Sequence, residues 1–455
     1  MFWETIVEFF KSSGIAGFFV DGGWRYLIMM ALACVLLFLA IKKKFEPYLL
    51  LPIAFGMLLV NLPNVGQEIF SKGGTEYNAV TLAAQAGLSE GQANAIFQAL
   101  GTDSATIKSI YNLVSSSTFD AGSAGLTSEL ISNIKNIYNS DYQGIFGFLY
   151  YGVKWGIYPC LIFLCIGCTT DFGPLIANKK TMLLGAAAQL GIFITFIGAI
   201  ILGKNVLGWT DFDARIASAI GIIGGADGPT AILVTSKLAP EYLSSIAIVA
   251  YSYMALVPVI QPPIIRLLTT KKERAIKMET PREVSKTEKI LFPIIVTIIT
   301  VLIVPSAAPL IGCLMLGNLI KESGVVPQIV EALSKSLMYI ITILLGVCVG
   351  CTADAATFLT LDTILIFVLG IVAFSIATAC GLLGGKLMCL LTKGKVNPMI
   401  GAAGVSAVPM AARVVHQEGI KEDPTNFLLM HAMGPNVAGV IGSAVAAGVL
   451  LLLFL

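Results

Sequence analysis

Charged residues are scarce in this sequence of 455 residues. They account for 12% of the chain and hydrophobic residues for 56%, whereas soluble proteins carry roughly 25% charged residues. The mean hydropathy is +0.86. This balance excludes an ordinary soluble domain, and we expect no nucleic-acid partner. We predict an all-α polytopic membrane protein, because helices satisfy their own backbone hydrogen bonds within the lipid bilayer.

The sequence also lacks two features of secreted proteins. Its nine cysteines are odd in number and lie mostly in apolar runs, so we expect no disulfide framework. Met1–Asp21 has no basic stretch before its apolar residues and no small-residue cleavage site after them. We therefore expect no cleavable signal peptide and interpret this segment as an interfacial helix.

One acid in an apolar setting is the most informative feature of the chain. Asp227 lies within Ile220–Ile232, which reads IGIIGGADGPTAI. The residues there that disfavour a continuous helix are Gly224, Gly225, Gly228 and Pro229. Transporters build cation sites from such broken helices, which combine free backbone carbonyls with an acid. The alternative is a turn in which Asp227 only caps the helix after Pro229.

The distribution of charge predicts which loops face the cytoplasm, because basic residues concentrate on that side. Lys42–Lys44 and the dense basic loop Arg266–Lys289 are expected inside. Asn64–Asp141 carries seven acids and three bases and is expected outside. The span Thr181–Gly203 brings the chain to the outer side, and only one predicted crossing, Leu243–Ile265, then leads back to the basic loop. Ala214–Glu241 must therefore enter and leave on the outer side, as a re-entrant hairpin with the acid at its bend.

Two stretches of the chain recur in the same order. Cys165–Asp171 (CIGCTTD) is echoed by Cys348–Asp354 (CVGCTAD), 183 residues later. Ile220–Ile232 aligns with Ile400–Ala412, 180 residues later, with five of thirteen positions identical. The basic loops place the second hairpin, Asn397–Arg413, on the cytoplasmic side. We therefore predict inverted-topology repeats with two opposed re-entrant broken-helix hairpins that meet, and about nine full spans besides them.

This interpretation divides the chain into five regions. They are an N-terminal interfacial helix with the first two spans (1–63), an acidic extracytoplasmic insertion (64–145), a first transport repeat (146–265), a basic cytoplasmic loop (266–289) and a second, inverted transport repeat (290–455). Short amphipathic stretches in the insertion, at Asn94–Leu100 and Ser104–Val114, indicate a small folded cap.

Few other polar residues could converge on the bend of the first hairpin. Asp227 supplies a charge, and Asn397, Ser406 and the peptide carbonyls near Gly401 supply neutral oxygens. Small hard cations take such oxygen ligands. Two simpler interpretations stay open, namely Asn397 as a helix N-cap before Pro398 and Ser406 as a small packing residue.

Two further residues complete the candidates. Tyr253 lies on the crossing after the first hairpin, and Arg413 ends the second hairpin. Tyr253 as an interfacial aromatic residue and Arg413 as a snorkelling topology anchor stay open as alternatives.

At these residues the chain resembles the membrane β subunit of the sodium-translocating, biotin-dependent decarboxylases of oxaloacetate, methylmalonyl-CoA, glutaconyl-CoA and malonate. The resemblance covers about Lys44–Pro63 and nearly everything from Gly147 onward. Its long and specific motifs are KFEPYLLLPIAFG at Lys44–Gly56, TDFGPLIAN at Thr170–Asn178, GGADGPTAI at Gly224–Ile232, YSYMALVP at Tyr251–Pro258, NPMIGAAGVSAVPMAAR at Asn397–Arg413 and NFLLMHAMGPNVAG at Asn426–Gly439.

The resemblance implies roles for individual residues. Asp227 is implied as the central acid of sodium and proton handling, with Tyr253 beside it. The further implied sodium ligands are Asn397, Gly401, Ser406 and Asn436, and the residues implied to bind carboxybiotin are Arg413, Asn397 and Ser406. Asn436, in the GPN motif, is implied as a sodium ligand only.

The resemblance also implies the activity and the partners. The chain would release CO2 from carboxybiotin, and couple this to outward Na+ pumping with proton uptake. Biotin would arrive on a carrier domain, beside an alpha carboxyltransferase that selects the carboxyl donor and a small gamma or delta membrane subunit. A homo-oligomeric β core, such as a trimer, would lie in the inner (cytoplasmic) membrane.

The implied chemistry is physically reasonable for these side chains. Loss of CO2 requires a proton on the biotin, which Asp227 and Tyr253 could relay when sodium is released. Arg413 could hold the carboxylate, and removal of water would favour loss of its charge. Moving one charge outward against ~100 mV costs about 2.3 kcal/mol, so decarboxylation has to be strictly coupled to that step.

Two motifs admit other interpretations. Ala275–Thr280 reads AIKMET, like a biotin attachment signature, but Lys277 lies in a short loop between spans rather than on the hairpin tip of a compact β domain. Biotin is therefore expected on a partner. Cys165–Cys168 and Cys348–Cys351 are CxxC pairs that could form a four-cysteine zinc or iron-sulfur site, or could be idle packing residues.

A different class of function, a stand-alone sodium-coupled carrier of an organic anion, would use the same inverted repeat. The two functions differ in whether sodium efflux requires a biotinylated partner and follows CO2 release.

The charge pattern yields a test of orientation. In a variant without the native cysteines, single cysteines in Asn64–Asp141 should react with a membrane-impermeant thiol reagent in intact cells. Single cysteines in Arg266–Lys289 should react only after the cells are opened, because a dense basic run stays in the cytoplasm. The opposite labelling pattern would remove the basis for an inverted repeat.

Overall fold

The computed structural model describes residues 16–19, 22–44, 47–63, 65–116, 119–122, 124–205 and 213–455. The predicted interfacial helix, Met1–Asp21, lies outside these residues except for Ala16–Phe19, which forms a 3-10 turn. The chain separates into two compact units, residues 1–30 with 57–151 and residues 31–56 with 152–455. The predicted outer insertion, 64–145, falls within the first unit.

The described chain begins with two apolar helices, α1 (Trp24–Lys42) and α2 (Pro47–Val60). The polar segment that follows forms short elements, namely α3 (Val65–Ile69), β1 (Ser71–Lys72), β2 (Glu76–Asn78), α4 (Ala79–Ala86), α5 (Glu90–Leu100), β3 (Ser104–Thr106), α6 (Ile107–Val114), α7 (Ser128–Ser140) and β4 (Tyr142–Gln143). β1 pairs antiparallel with β4, and β2 pairs antiparallel with β3. These four short strands are the only departure from an all-helical fold among the described residues.

The ends of the short helices follow from local sequence. Asn78 and Ser89 begin α4 and α5 with reciprocal capping boxes. Gly87 and Gly101 end the same helices with φ values of +71° and +68°, a conformation that glycine adopts without strain. Apolar faces of α4 to α7 then form a small buried core of their own.

The second unit consists of helices. In chain order they are α8 (Ile145–Lys154, shared with the first unit), α9 (Ile157–Thr169), α10 (Gly173–Ala177), α11 (Thr181–Asn205), α12 (Ala214–Gly221), α13 (Gly228–Leu238), α14 (Leu243–Leu268), α15 (Lys271–Arg274), α16 (Lys286–Ile303), α17 (Ala308–Ser323), α18 (Pro327–Glu331), α19 (Met338–Cys351), α20 (Ala355–Phe358), α21 (Leu361–Leu391), α22 (Met410–Glu422) and α23 (Leu429–Phe454).

Several of these helices are long and apolar enough to cross a bilayer. Within the described ranges, five meet both criteria, or up to seven when two interrupted helix pairs are each counted as one span. The five are Trp24–Lys42, Thr181–Gly203, Pro327–Cys351, Leu361–Leu391 and Leu429–Phe454. The prediction of an all-α multi-pass membrane protein is confirmed in this general form.

Close helix packing in the second unit depends on small residues. A Cβ at Gly167 of α9 would overlap the carbonyl oxygen of Leu314, and one at Gly317 of α17 would overlap that of Leu164. These reciprocal approaches bring the two backbones together without a side chain between them. Membrane helices commonly pack in this way, because van der Waals contact between small residues is their main attraction.

Candidate functional site

The first predicted hairpin is a broken helix. α12 continues into a 3-10 turn at Ile222–Gly225, this turn ends at Ala226, and α13 begins after Asp227. Ala226 has φ +56°, a left-handed conformation that is uncommon for residues other than glycine. The glycines and the proline of the sequence motif therefore produce the predicted break, and Asp227 lies directly at it.

Asp227 is buried, with 6% of its surface exposed. One carboxylate oxygen, Oδ1, accepts a hydrogen bond from the backbone N–H of Thr230 at 3.3 Å. The other, Oδ2, accepts one from the hydroxyl of Ser443 at 2.7 Å. The interpretation of Asp227 as a helix cap is therefore correct for one oxygen, whereas the other oxygen contacts the last helix of the chain.

The second predicted hairpin is also broken, but its first arm is tighter than expected. Pro398–Gly404 forms a 3-10 helix, and α22 begins only at Met410. Between them, the N–H of Ser406 donates to the carbonyl oxygen of Gly225 at 2.8 Å. The hydroxyl of Ser406 donates to the carbonyl oxygen of Gly439 at 2.8 Å. The two breaks are thus in direct contact, as predicted.

One face of α23 lines this contact. Asn436, Gly439 and Ser443 follow the i, i+3, i+7 spacing that places residues on one side of a helix. The side-chain nitrogen of Asn436 donates to the carbonyl oxygens of Ala403 at 3.0 Å and Val405 at 2.7 Å. Its side-chain oxygen is buried and has no hydrogen-bond donor among the residues that the structure describes.

Gln189 of α11 completes the cluster. Its side-chain nitrogen donates to the carbonyl oxygen of Gly404 at 3.1 Å, and its buried Oε1 atom accepts no hydrogen bond within the described part of the chain. A Cβ added at Gly225 would lie 3.4 Å from this oxygen and 3.4 Å from Ser443 Cβ. Gln189 and Ser443 therefore flank the first break on either side.

Sequence reasoning missed Gln189 and Ser443. A glutamine in the middle of an apolar helix was a usable signal, because an amide at membrane depth needs a partner. Ser443 could have been found from its position seven residues after Asn436, on the same helix face.

The tyrosine at the break differs from the one that the resemblance indicates. Tyr253 is buried, its hydroxyl donates to the carbonyl oxygen of Phe367, and its ring packs on Gly370. Tyr251 is the residue whose ring packs directly against Gly228, beside the acid. A role of Tyr253 next to Asp227 stays a prediction.

The remaining predicted residues surround the second broken segment. Asn397 donates to the carbonyl oxygens of Arg274 and Ile276, at 3.0 and 2.9 Å, and its side-chain oxygen caps the N–H of Met399. Asn397 is thus the N-cap that was the simpler interpretation. A Cβ on Gly401 would overlap Gly381 of α21, so this glycine permits close packing.

Arg413 lies in the first turn of α22, just after the second break, and its side chain is exposed. It forms no ion pair with any residue in the described part of the chain. It is therefore free to meet an anion.

The CxxC pairs do not converge. Cys168 Sγ lies 3.7 Å from the carbonyl oxygen of Val330, and Cys351 Sγ lies 3.7 Å from that of Gly56. Across the residues described, no group of three or more His, Cys, Asp or Glu side chains could hold a metal ion.

The electrostatics of the cluster point to a cation. No lysine or arginine of the described chain pairs with Asp227, although burial of an unpaired charge is costly. Carboxylate, hydroxyl and amide oxygens are the ligands that small hard cations prefer. A helical membrane protein with such a site at the contact of two broken helices has the form of an ion transporter.

Comparison with known proteins agrees with this class. The family model described as "Na+-transporting oxaloacetate decarboxylase beta subunit" matches residues 25–454. The chain is 50% identical over 451 residues to the methylmalonyl-CoA decarboxylase subunit beta of Propionigenium modestum, covering 99% of both chains. The chain therefore belongs to the family of Na+-transporting decarboxylase beta subunits, as the motifs indicated.

Other relatives carry different substrate names at similar identity. The oxaloacetate decarboxylase beta chain of Klebsiella pneumoniae is 49% identical over 430 residues, which are 93% of this chain and 94% of the relative. The glutaconyl-CoA decarboxylase subunit beta of Acidaminococcus fermentans is 47% identical over 433 residues, 95% of this chain and 94% of the relative.

The contact between Ser443 and Asp227 yields a prediction. Ser443→Ala should weaken sodium binding about tenfold, because loss of a hydrogen bond to a charged group costs about 1.5 kcal/mol. Isotopic sodium binding to the purified chain measures this. Ser236→Ala is the matched control, since among the described residues this buried serine donates only to the carbonyl of Leu233 on its own helix. Equal sodium affinity in both variants would contradict the assignment.

Proposed function

We propose that this chain couples the decarboxylation of carboxybiotin to outward Na+ pumping with uptake of a proton. The observation that carries the proposal is the burial of Asp227, without a cationic partner among the described residues, where two broken helices touch. Membership in a family of Na+-transporting decarboxylase subunits supports sodium as the ion. Sodium is here the transported substrate, and a proton is its competitor for the same carboxylate.

The proposed sodium site uses oxygens from both sides of the contact. Asp227 supplies the charge, and Ser443 supplies a hydroxyl oxygen 2.7 Å from that carboxylate. Gln189 and Asn436 each contribute an amide oxygen that is otherwise without a donor in the described residues. Both amide nitrogens are bonded to backbone carbonyls, so each amide oxygen faces away from the peptide groups that hold it. Ser406, Asn397 and Gly401 are proposed to shape the second break.

The proposed architecture retains about nine spans and two inverted repeats. The observed breaks, Ala226–Asp227 and Val405–Pro409, lie at the positions that the offset of 180 residues aligns. The contact between Ser406 and Gly225 is the junction that two opposed hairpins would make. The chain would span the inner membrane with loop 266–289 in the cytoplasm.

The proposed partners follow from the need to bring biotin to the chain. Lys277 is ion-paired with Asp423 at 3.0 Å, which supports an ordinary loop lysine rather than a biotin carrier. Biotin would therefore arrive on a separate carrier domain with a carboxyltransferase, and a small gamma or delta membrane subunit and a homo-oligomeric core would complete the complex. Arg413 would hold the carboxylate of carboxybiotin, because its exposed guanidinium lies directly after the second break.

The first prediction from this proposal concerns Asp227. Asp227→Asn should abolish sodium transport and sodium-dependent decarboxylation together, because it removes the charge that sodium and protons compete for. In the wild type, the apparent sodium affinity should fall as the pH is lowered. Activity of the assembled complex, measured against sodium concentration at several pH values, provides both readings.

Asp213→Asn is the matched control for this experiment. Asp213 caps α12 through the N–H groups of Arg215 and Ile216, at 2.9 and 3.0 Å, and Asn caps a helix about as well as Asp. Its activity should remain normal. Substantial coupled activity in Asp227→Asn would show that Asp227 is only a cap.

The second prediction concerns Arg413. Arg413→Ala should abolish carboxybiotin decarboxylation while isotopic sodium binding persists. Arg413→Lys should also be poor, since a point charge does not reproduce a bidentate guanidinium. Arg215→Ala, an exposed arginine in the first turn of α12, should be normal. The assignment fails if Arg413→Ala loses sodium binding but still decarboxylates free carboxybiotin.

A further inference from the structure

Three ion pairs join the C-terminal end of α22 to neighbouring segments. Each joins a carboxylate near the end of this helix to a cation from the end of α14 or the loop after it, namely Arg266–Glu418 at 2.8 Å, Arg274–Glu422 at 2.7 Å and Lys277–Asp423 at 3.0 Å. The helix that carries Arg413 is therefore held by charge at the end opposite to the second break.

Glu418 is the most enclosed of these acids. Its side chain is 4% exposed, and its carboxylate accepts from Arg266 Nε at 2.8 Å, Arg266 Nη2 at 3.0 Å and Lys421 Nζ at 2.6 Å. Burial raises the pKa of Glu418, but the hydrogen bonds and charges of Arg266 and Lys421 outweigh it and hold the pKa below its usual value. The Arg266 side chain is itself 53% exposed, so the pair is half-buried, and its two parallel hydrogen bonds fix the geometry of the contact.

The position of Glu418 gives the pair a role beyond local stability. It lies five residues after Arg413, about 7.5 Å along the helix axis. Because Val405–Pro409 is not helical, no continuous helix before α22 sets its direction. Arg266 is in the last turn of α14, the helix that also carries Tyr253. The pair therefore links the helix of Arg413 directly to α14.

We propose that Glu418, through its bidentate pair with Arg266, is a positioning residue that aims Arg413 at the carboxylate of its anionic substrate. This inference rests on the proposed function, because it assumes that Arg413 binds that anion. Glu418 itself touches neither the substrate nor the proposed sodium site.

The test uses the purified complex and free carboxybiotin as substrate. Glu418→Gln should raise the apparent KM about tenfold, a difference of about 1.4 kcal/mol in binding free energy, and should change kcat less than about twofold. Isotopic sodium affinity should stay at the wild-type value. Glu288→Gln is the matched control, because Glu288 also pairs with an arginine, Arg282 at 2.7 Å, but its side chain is 39% exposed and it lies on α16. The control should keep the wild-type KM.

A double variant separates positioning from a general loss of structure. If Arg266 and Glu418 act as one unit, Glu418→Gln combined with Arg266→Gln should raise KM no further than Glu418→Gln alone. If Glu418→Gln does not accumulate in the membrane, Arg266→Lys replaces it, because lysine keeps the charge but loses the two parallel bonds. Arg266→Lys should raise KM about threefold.

The inference is overturned by a wild-type KM in Glu418→Gln or Arg266→Lys, or by independent effects that multiply in the double variant. It is also overturned if sodium affinity falls in the variant that raises KM. Its failure is distinct from that of the proposed function. An inactive Arg413→Ala beside a normal Glu418→Gln removes only the inference, whereas an active Arg413→Ala removes the function assigned to Arg413.

Discussion

The buried charge of Asp227 is the constraint on which the arrangement of the second unit depends. A carboxylate withdrawn from water loses much of its solvation, and among the described residues only Thr230 and Ser443 donate to it. In the described part of the chain, the neighbouring helices contribute glycines and amides instead of lysine or arginine. The carboxylate therefore requires a bound cation or a proton for charge balance. On the proposed function, this requirement allows one site to exchange sodium for a proton.

The second constraint is the backbone that each helix break exposes. Carbonyl groups that leave a helix need donors, since lipid offers none. Amide side chains from three helices supply them: Gln189 donates to Gly404, Gln261 to Ala402, and Asn436 to Ala403 and Val405. The nitrogen of each amide is used to hold the broken segment. This arrangement leaves the amide oxygens available to other ligands, so the same residues that stabilise the break can also provide its polar lining.

Sequence alone was sufficient for the helical class, for both breaks and for the position of Asp227 at the first break, because glycine, proline and a lone acid act locally. It was insufficient where the rotation of a helix about its axis decides which side chains face the site. Tyr251 and Tyr253 are two residues apart, about 200° around a helix, and only packing of α14 against α13 and α21 brings the first to the break. Ser443 and Gln189 face the site for the same reason. The 3-10 form of Pro398–Gly404 depends equally on its tertiary contacts.

The contacts of α22 restrict how the two halves of the proposed reaction can communicate. Just before its start, Ser406 donates hydrogen bonds to the carbonyl oxygens of Gly225 and Gly439. Gly225 adjoins the break at Asp227, and Gly439 lies on the same helix as Ser443. Near its end, Glu418 is held by Arg266. Arg413 lies on the chain between these two contacts. Packed interfaces of this kind change by small shifts between discrete arrangements. On the proposed function, exchange of sodium for a proton at Asp227 would reach Arg413 through the short non-helical segment Val405–Pro409, since this is the part of the path that no helix stiffens.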